Sequence, residues 1–342
     1  MDAKITKLRL SRMLSYDWLK MVGFALAAIL VWSLIFTMTA TRITPAQQFT
    51  VFNYMGNVSL SSTNFYDSYN KAFQSGVFSY EVIEINENDL TVSEEMVNTL
   101  LEARLGTDEG DVMFIANVND PKSKQLNEET GETTYSTYME EFVSGWARYV
   151  ADLDPNSENG YFRKLENYLG QFYADWTDKT TLNEQAVEDA FRARIKKNKD
   201  KRFKKANEIE KGIEDDVERI QKYRDALEQF YSYLDAGVIE YTQVKVPSYV
   251  EGEEPQLKTL GINLCPNTET MDDLKKIVCY QTTVKETDED GKEIEKIRVT
   301  AEDMNVMFFN LPGVEEGFQY ESLLFVNYVI ESSLKTPSAQ NN

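Results

Sequence analysis

Residues 100–117 read LLEARLGTDEGDVMFIAN and combine three structural signals in one passage. The leucines at its start continue an apolar face that predicts a helix from Ser93 to Arg104. Gly110 and Asp111 then interrupt the helical pattern. Val112–Ala116 is a continuous apolar run of the kind that a strand buried on both faces shows. The passage therefore predicts a helix, a loop and a buried parallel strand.

Two further strands and a helix are predicted before this passage. Residues 48–55 (QFTVFNYM) and 78–85 (FSYEVIEI) are rich in aromatic and β-branched side chains, which is typical of strands. Residues 61–75 begin with Ser, Thr and Asn, carry apolar side chains at helical spacing and precede Gly76, which predicts a helix. The order strand–helix–strand–helix–strand predicts parallel strands joined by right-handed crossovers.

This arrangement resembles the first lobe of bacterial extracellular solute-binding proteins of the ABC-importer type. The resemblance covers about residues 48–120, and it depends mainly on the passage quoted above, because a helix, a short acidic loop and a GDVxF strand recur in that family. It implies an α/β fold like that of the periplasmic binding proteins. It also implies a non-enzymatic protein that binds a small ligand, such as a sugar, beside the permease of an ABC importer.

A ligand site is expected where the parallel strands end, because open parallel sheets leave a crevice at the carboxyl ends of their strands. Five side chains follow the first and third predicted strands and offer an aromatic ring, amides and a carboxylate. The alternative is that the Asn and Asp residues simply form the turns. The candidate ligand-binding residues are Tyr54, Asn57, Asn117, Asn119 and Asp120.

The second half of the chain opens with a long, charged helical stretch. Residues 182–236 contain no proline and repeat apolar side chains at 3,4 spacing, with Asp216 as the polar break. They predict one helix, or two antiparallel helices bent near residues 198–203, and Gly237 ends the pattern. The remaining predicted elements are a strand at 239–246, a hairpin formed by 280–286 and 293–300, a strand at 305–311 and a helix at 317–334.

These patterns predict six regions along the chain. They are a basic tail (1–20), a transmembrane helix (21–40), an α/β lobe (41–180), a charged helix or helical hairpin (181–236), a second α/β portion (237–335) and a disordered tail (336–342). The fold class is therefore α/β, with an N-terminal membrane helix and a long charged helical insertion.

The segment from Arg192 to Lys205 is strongly basic. Nine of its residues are Lys or Arg and one, Asp200, is acidic. Such a patch could contact an anionic surface or partner. The alternative is a solvated helix face balanced by nearby acidic side chains. The candidate interaction residues are Arg192, Arg194, Lys196, Lys197, Lys201 and Arg202.

Met21–Ala40 is a run of twenty residues without a charge, long enough to span the roughly 30 Å hydrocarbon layer of a bilayer. Five basic residues precede it and one follows it shortly afterwards, so the positive-inside rule predicts a cytoplasmic N-terminus and an extracellular body. We expect a single-pass cell-membrane protein with the lipid bilayer as a partner. A cleaved signal peptide and a buried core helix are the alternatives.

Composition narrows the function classes. The 342-residue chain contains no histidine and has a formal net charge of −21, which argues against triad-type catalysis and against nucleic acid as a partner. We expect no cofactor and no metal site. Cys265 and Cys279 are the only cysteines and predict a local disulfide in an oxidising compartment.

Two functions follow from these features. The first is a membrane-anchored, extracytoplasmic solute-binding-like protein that recognises a small ligand. The second is a non-enzymatic structural or assembly factor of the cell envelope that holds a partner through its long helix.

Overall fold

The computed structural model describes residues 7–39, 44–54, 70–90, 94–126, 131–248, 252–287, 293–314 and 316–334. The chain divides into two compact units, Met1–Thr44 and Pro45–Asn342. Predicted features at Asn57, at most of residues 61–75 and at 336–342 lie outside the described residues. The second unit carries all the strands that the described part of the chain contains.

The first unit is built on one long helix, α1 (Lys7–Thr39). Within it, Trp18–Phe36 has a mean hydropathy of 2.2, and none of its side chains is buried. Its 19 residues span about 28 Å at 1.5 Å per residue, so the segment is long and apolar enough to cross a membrane. The helix starts well before the predicted apolar run, because the basic tail also adopts helical structure from Lys7.

The second unit is built on a six-stranded mixed sheet with the strand order β2-β1-β3-β10-β7-β6. β1 pairs in parallel with both β2 and β3, which confirms the parallel strands expected before residue 117. β10 inserts antiparallel beside β3, and β7 and β6 continue the sheet antiparallel. The strands of this sheet are β1 (Gln48–Asn53), β2 (Glu84–Asp89), β3 (Val112–Ala116), β6 (Glu240–Val246), β7 (Gln256–Asn263) and β10 (Met304–Phe308).

Two short hairpins complete the strands of the described residues. β4 (Gln125–Leu126) pairs with β5 (Thr133–Thr134). β8 (Tyr280–Thr287) pairs antiparallel with β9 (Glu293–Thr300), which confirms the predicted hairpin. Strand β7 has no counterpart in the sequence-based prediction, because its exposed first half lacks an apolar pattern.

Helices cover both faces of the large sheet. Phe114 of β3 and Phe308 of β10 face one apolar cluster, whereas Met113 and Met307 face the other. This alternation is the two-residue period of strands covered on both sides. The helices of the described second unit are α2 (Glu94–Leu105), α3 (Tyr138–Trp146), α4 (Tyr161–Leu169), α5 (Glu184–Asn198), α6 (Ala206–Asp235) and α7 (Glu321–Ser333), with a helical turn at 70–74.

The charged helical stretch forms two helices, α5 and α6, which agrees with the bent alternative. They approach closely at Gly212, where a Cβ atom would lie 2.7 Å from Phe203 Cε1 and closer still to the Phe191 ring. Gly237 follows α6 with φ of 65°, a left-handed conformation that glycine adopts without strain. Its N–H donates to Leu234 O, so it ends the helix as predicted.

The predicted strand at 78–85 is wrong in its position, because β2 begins only at Glu84. Phe78, Ser79, Glu81 and Val82 are buried in a connecting segment instead. Several side chains of this segment are buried although the segment does not pair with a strand. Its sequence therefore shows the alternation of apolar and polar residues that is typical of a strand. The strands of both predicted α/β portions, 41–180 and 237–335, belong to the same sheet, since β3 lies next to β10.

Candidate functional site

A cavity of about 270 Å³ lies between the connecting segment and the first half of α6. Its walls combine aromatic, aliphatic and charged side chains. The connecting segment, residues 75–83, lies between the helical turn at 70–74 and β2, and it contacts α6 through hydrogen bonds from Lys222. The cavity is lined by Phe73, Gly76, Phe78, Ser79, Tyr80, Val82, Asp215, Glu218, Arg219 and Lys222.

The lining has an apolar interior and a charged rim. Phe78 and Val82 are each 6% exposed, whereas Phe73 is 40% exposed. Glu218 is exposed and pairs with Lys222 at 3.0 Å between Oε1 and Nζ. Apolar walls with a few placed polar groups are typical of small-ligand sites.

Side chains from the helices hold the connecting segment in place. Lys222 Nζ donates to the carbonyl oxygens of Gly76 at 3.1 Å and Phe78 at 3.2 Å. The backbone N–H of Ser79 donates to Glu321 Oε2 at 3.0 Å. These bonds satisfy backbone groups that no neighbouring strand reaches, so the segment is buried without being a strand.

Tyr80 connects the cavity wall to a buried ionic cluster. Its hydroxyl donates to Asp216 Oδ1 at 3.0 Å and accepts from Arg194 Nη2 at 2.6 Å. Arg194 Nη2 lies 3.2 Å from the same Asp216 oxygen. Burial raises the pKa of Tyr80, and the Asp216 carboxylate raises it further, so the hydroxyl stays protonated.

Arg219 extends this cluster into the core. It is 3% exposed, and its Nε donates to Asp216 Oδ1 at 2.9 Å. Its remaining nitrogens donate to Gly317 O at 3.1 Å and Tyr168 Oη at 2.9 Å. A guanidinium held by these three partner atoms is a rigid wall of the cavity, because moving it would leave buried charges unpaired.

Two carboxyl groups lie on the sheet side of the cluster. Glu321 is 1% exposed and accepts from Tyr223 Oη at 2.6 Å, and burial raises its pKa. Asp111 Oδ2 accepts from Thr50 N at 2.7 Å. Burial raises the pKa of Asp111 to about 7, although the Thr50 hydrogen bond opposes this; the nearby Glu321 adds to the rise.

Four of the five predicted ligand-binding residues are described by the structure, and they follow strands β1 and β3; they are Tyr54, Asn117, Asn119 and Asp120. Tyr54 packs its ring 5.9 Å from that of Phe142 in α3, and its N–H donates to Phe114 O. Asp120 caps the turn that follows it, accepting from Lys122 N at 2.8 Å, while Asn119 forms an isolated bridge to Thr137. Asn117 donates its N–H to Asp303 O. The cavity lies away from these residues, on the side covered by α6.

A carboxyl with a raised pKa lies at the same strand edge. Glu87 in β2 accepts from Asn53 Nδ2 at 2.8 Å. Burial raises the pKa of Glu87 to about 7, with a further contribution from Asp89. The described residues contain no group of three or more side chains suited to holding a metal ion.

The predicted basic patch separates into inward and outward side chains. Arg194 binds Asp216, and Arg202 Nη2 lies 2.7 Å from Glu81 Oε1 and from Asp200 Oδ2. Arg192 pairs with Glu188 on the surface of α5. Lys196, Lys197 and Lys201 are exposed. Arg194 and Arg202 thus connect α5 and the turn after it to other segments, whereas Arg192 stays on the surface of α5 and the three lysines face solvent.

Cys265 and Cys279 are not joined by a disulfide in the structure, so the disulfide predicted from the sequence is not formed there. Cys265 is buried and Cys279 is half-buried. Burial raises the pKa of the Cys279 thiol, which disfavours the reactive thiolate.

The sequence contained a signal for part of the cavity wall. Asp216 interrupts an otherwise apolar stripe, and Arg219 follows it by one helical turn, which is the spacing of an ion pair. Nothing in the sequence indicated that Tyr80 and Lys222 would meet, because 142 positions separate them in the numbering.

No protein-family model matches the chain, and neither curated protein sequences nor solved structures contain a significant match to it.

Proposed function

We propose that this protein is a membrane-anchored, extracytoplasmic binding protein that takes up a small ligand in the cavity between residues 73–82 and α6. The observation that carries the proposal is the cavity of about 270 Å³ with aromatic walls and charged residues at its rim. Helix α1 supplies the anchor in this proposal, since Trp18–Phe36 is long and apolar enough to span a bilayer. A cleaved signal sequence would have the same composition.

The rigidity of the cavity supports a binding role. Tyr80 is fixed by Asp216 and Arg194, and Arg219 is fixed by three further groups. A site whose walls are already held loses little conformational freedom when a ligand binds, so more of the interaction energy appears as affinity. In these bonds the Tyr80 hydroxyl both donates and accepts, and each nitrogen of the Arg219 guanidinium donates to one partner.

The size and chemistry of the cavity favour a ligand of about the size of a monosaccharide or an amino acid. Small-molecule sites are commonly about 300–1,000 Å³, and this cavity of about 270 Å³ lies just below that range, so it suits only a small ligand. The rings of Phe73, Phe78 and Tyr80 offer apolar faces. Glu218 and Lys222 at the rim offer charged hydrogen-bond groups. An importer permease is the partner that the family resemblance adds to this proposal.

The alternative, a partner held by the long helix, has less support. The apolar stripe of α6 packs into the body, since Ile220, Tyr223, Leu227 and Phe230 are fully buried. Because this stripe is buried, only the polar face of α6 is available to contact a partner protein. We therefore favour ligand binding over partner holding.

A thermal-shift screen of sugars, amino acids and short peptides tests the proposal. A ligand present at about 100 times its dissociation constant adds about 2.7 kcal/mol to the free energy of unfolding, which raises the melting temperature. Glu218→Trp should abolish the shift, because an indole at this exposed rim position would enter the cavity.

Glu214→Trp is the matched control, because Glu214 is exposed one turn earlier on α6 and does not line the cavity. The control should keep the full ligand-induced shift. A shift that survives Glu218→Trp would place the ligand elsewhere. A screen without any stabilising compound would argue against the binding function itself.

A further inference from the structure

Five lysines project from the tip of the α5–α6 hairpin. All five are exposed, and they lie within nine consecutive residues at the end of α5 and in the turn that follows. The described residues place no carboxylate in ion-pair contact with any of them. They are Lys196, Lys197, Lys199, Lys201 and Lys204, and we call them the lysine tip.

The carboxylates nearest in sequence already have other partners. Asp200 accepts from the Arg202 guanidinium and backbone. Glu81 also accepts from Arg202, and Glu208 pairs with Lys205. The local acids therefore neutralise the arginines and Lys205, and they leave the lysine tip uncompensated.

We propose that the lysine tip binds the anionic headgroups of the lipid bilayer that holds α1. This rests on the membrane anchorage proposed above. The lysine tip would bind a surface of phosphodiester anions. Such binding depends on charge, so it does not require the tip to adopt a particular geometry.

The charge distribution favours a membrane surface as the partner. The chain as a whole carries −21, so an anionic bilayer repels most of the body and attracts the tip. Lysine ammonium groups are compact, hydrated charges that suit a diffuse surface, whereas Arg194 and Arg202 are paired with the buried carboxylates of Asp216 and Glu81. The second unit begins at Pro45, shortly after α1 ends at Thr39. If α1 is anchored in the bilayer, this short connection keeps the lipid surface at a high effective concentration for the second unit.

Lysine labelling of the full chain in nanodiscs tests this contact. Reductive dimethylation is measured at each lysine by mass spectrometry, in discs of phosphatidylcholine alone and in discs that also contain phosphatidylglycerol. The anionic discs should slow labelling of the lysine tip about fivefold at 0.01 M salt, where the Debye length is about 30 Å, and should not slow it at 1 M, where it is about 3 Å. Lys258 and Lys285, which are exposed outside the tip, should label equally in both discs.

The labelling rate of Lys199 in two variants shows whether its protection depends on the other four lysines of the tip. Replacing Lys196, Lys197, Lys201 and Lys204 by Gln should remove the slower labelling of Lys199 in anionic discs. The matched control replaces Lys164, Lys258, Lys285 and Lys296, which are exposed outside the tip, by Gln and should preserve it.

Each other result overturns the proposal in a distinct way. Equal labelling of the tip in both discs would show that it does not contact lipid. Slower labelling in neutral discs that grows with protein concentration would assign the tip to a second copy of the chain. Protection only after soluble polyphosphate is added would assign it to a free polyanion. Failure of the chain to remain in discs would instead contradict the anchor and with it the proposed function.

Discussion

Asp111 is a carboxylate whose position makes folding stability depend on pH. It bonds to Thr50 at the junction between β1 and the loop before β3, close to the buried Glu321. Its pKa is raised to about 7 in the folded protein, compared with an ordinary value of 3.8. Between pH 3.8 and about pH 7, the folded state therefore keeps a proton on Asp111 that the unfolded state has already released.

The sign of the effect follows from this difference. The raised pKa contributes stability that is fully present below about pH 4 and is lost as the pH rises to about 7. Asp111→Asn imitates the protonated form and keeps an acceptor for Thr50 N. We expect the variant to be more stable than the parent by about 2–4 kcal/mol at pH 8 and to match it near pH 4, measured by urea unfolding with tryptophan fluorescence.

Glu295→Gln on the exposed strand β9 provides the control for this experiment. It should change the stability by less than about 0.5 kcal/mol at either pH, because surface substitutions rarely do more. If Asp111→Asn destabilised the protein equally at both pH values, the carboxylate would be ionised in the folded state, contrary to the assignment.

For Asp216, the sequence predicts the environment of the residue but not all of its partners. Its place in an apolar stripe shows that it is buried and polar. The spacing on α6 points to Arg219 as one partner, but it does not reveal Arg194 and Tyr80, which come from another helix and from a distant segment. Buried charges need partners, but the sequence does not state which chain segments supply them.

The contact between α5 and α6 depends on one residue without a side chain. Gly212 is buried where the Phe191 and Phe203 rings meet at 5.0 Å between centroids. Phe191 is fully buried, so its ring has no free space into which to move. The periodicity of the helical stretch allowed one helix or two, and the close approach at Gly212 is a property of how the two observed helices pack.

Gly212→Ala should therefore destabilise the protein despite the better helix propensity of alanine. Propensity alone would favour alanine by about 1 kcal/mol, but overpacking in a filled core costs about 1–3 kcal/mol. Gly145→Ala in α3 is the matched control, since a Cβ at position 145 meets no atom within 4 Å. We expect a lower melting temperature for Gly212→Ala and an equal or higher one for Gly145→Ala, and the reverse order would contradict this packing.

At the scale of the whole molecule, the orientation of α1 remains a prediction from the flanking charges. We expect residues 1–20 to be cytoplasmic and the body to be outside the cell. Single-cysteine variants Ser11→Cys and Thr177→Cys, made in a chain with Cys265 and Cys279 replaced by Ser, test this. A membrane-impermeant maleimide should label Thr177→Cys on intact spheroplasts and Ser11→Cys only after lysis.

Carbonate extraction separates an anchor from a cleaved signal sequence. The anchored protein should remain in the membrane fraction after washing, and mass spectrometry should find peptides from residues 1–20 in it. Release into the soluble fraction, with the N-terminal peptides missing, would indicate a removed signal sequence.

Features that depend on local periodicity could be predicted from the sequence. The apolar helix α1, strands β1 and β3 and the β8–β9 hairpin follow from patterns within about 5–30 residues, because side-chain spacing reports directly which face of an element is buried. For residues 182–236 the pattern predicted helical structure but allowed either one helix or two. The parallel pairing of the first three strands also followed, since connections through helices require it.

Contacts between distant segments became apparent only from the fold. It placed β10 antiparallel beside β3, added β7 to the sheet, and buried residues 78–82 under α6 as a cavity wall instead of a strand. It also turned Arg194 and Arg202 inward and left the lysine tip in solvent. The physical reason is that the hydrogen-bond and charge partners of these groups come from residues more than 100 positions away or from other elements, and side-chain periodicity carries no information about such pairing.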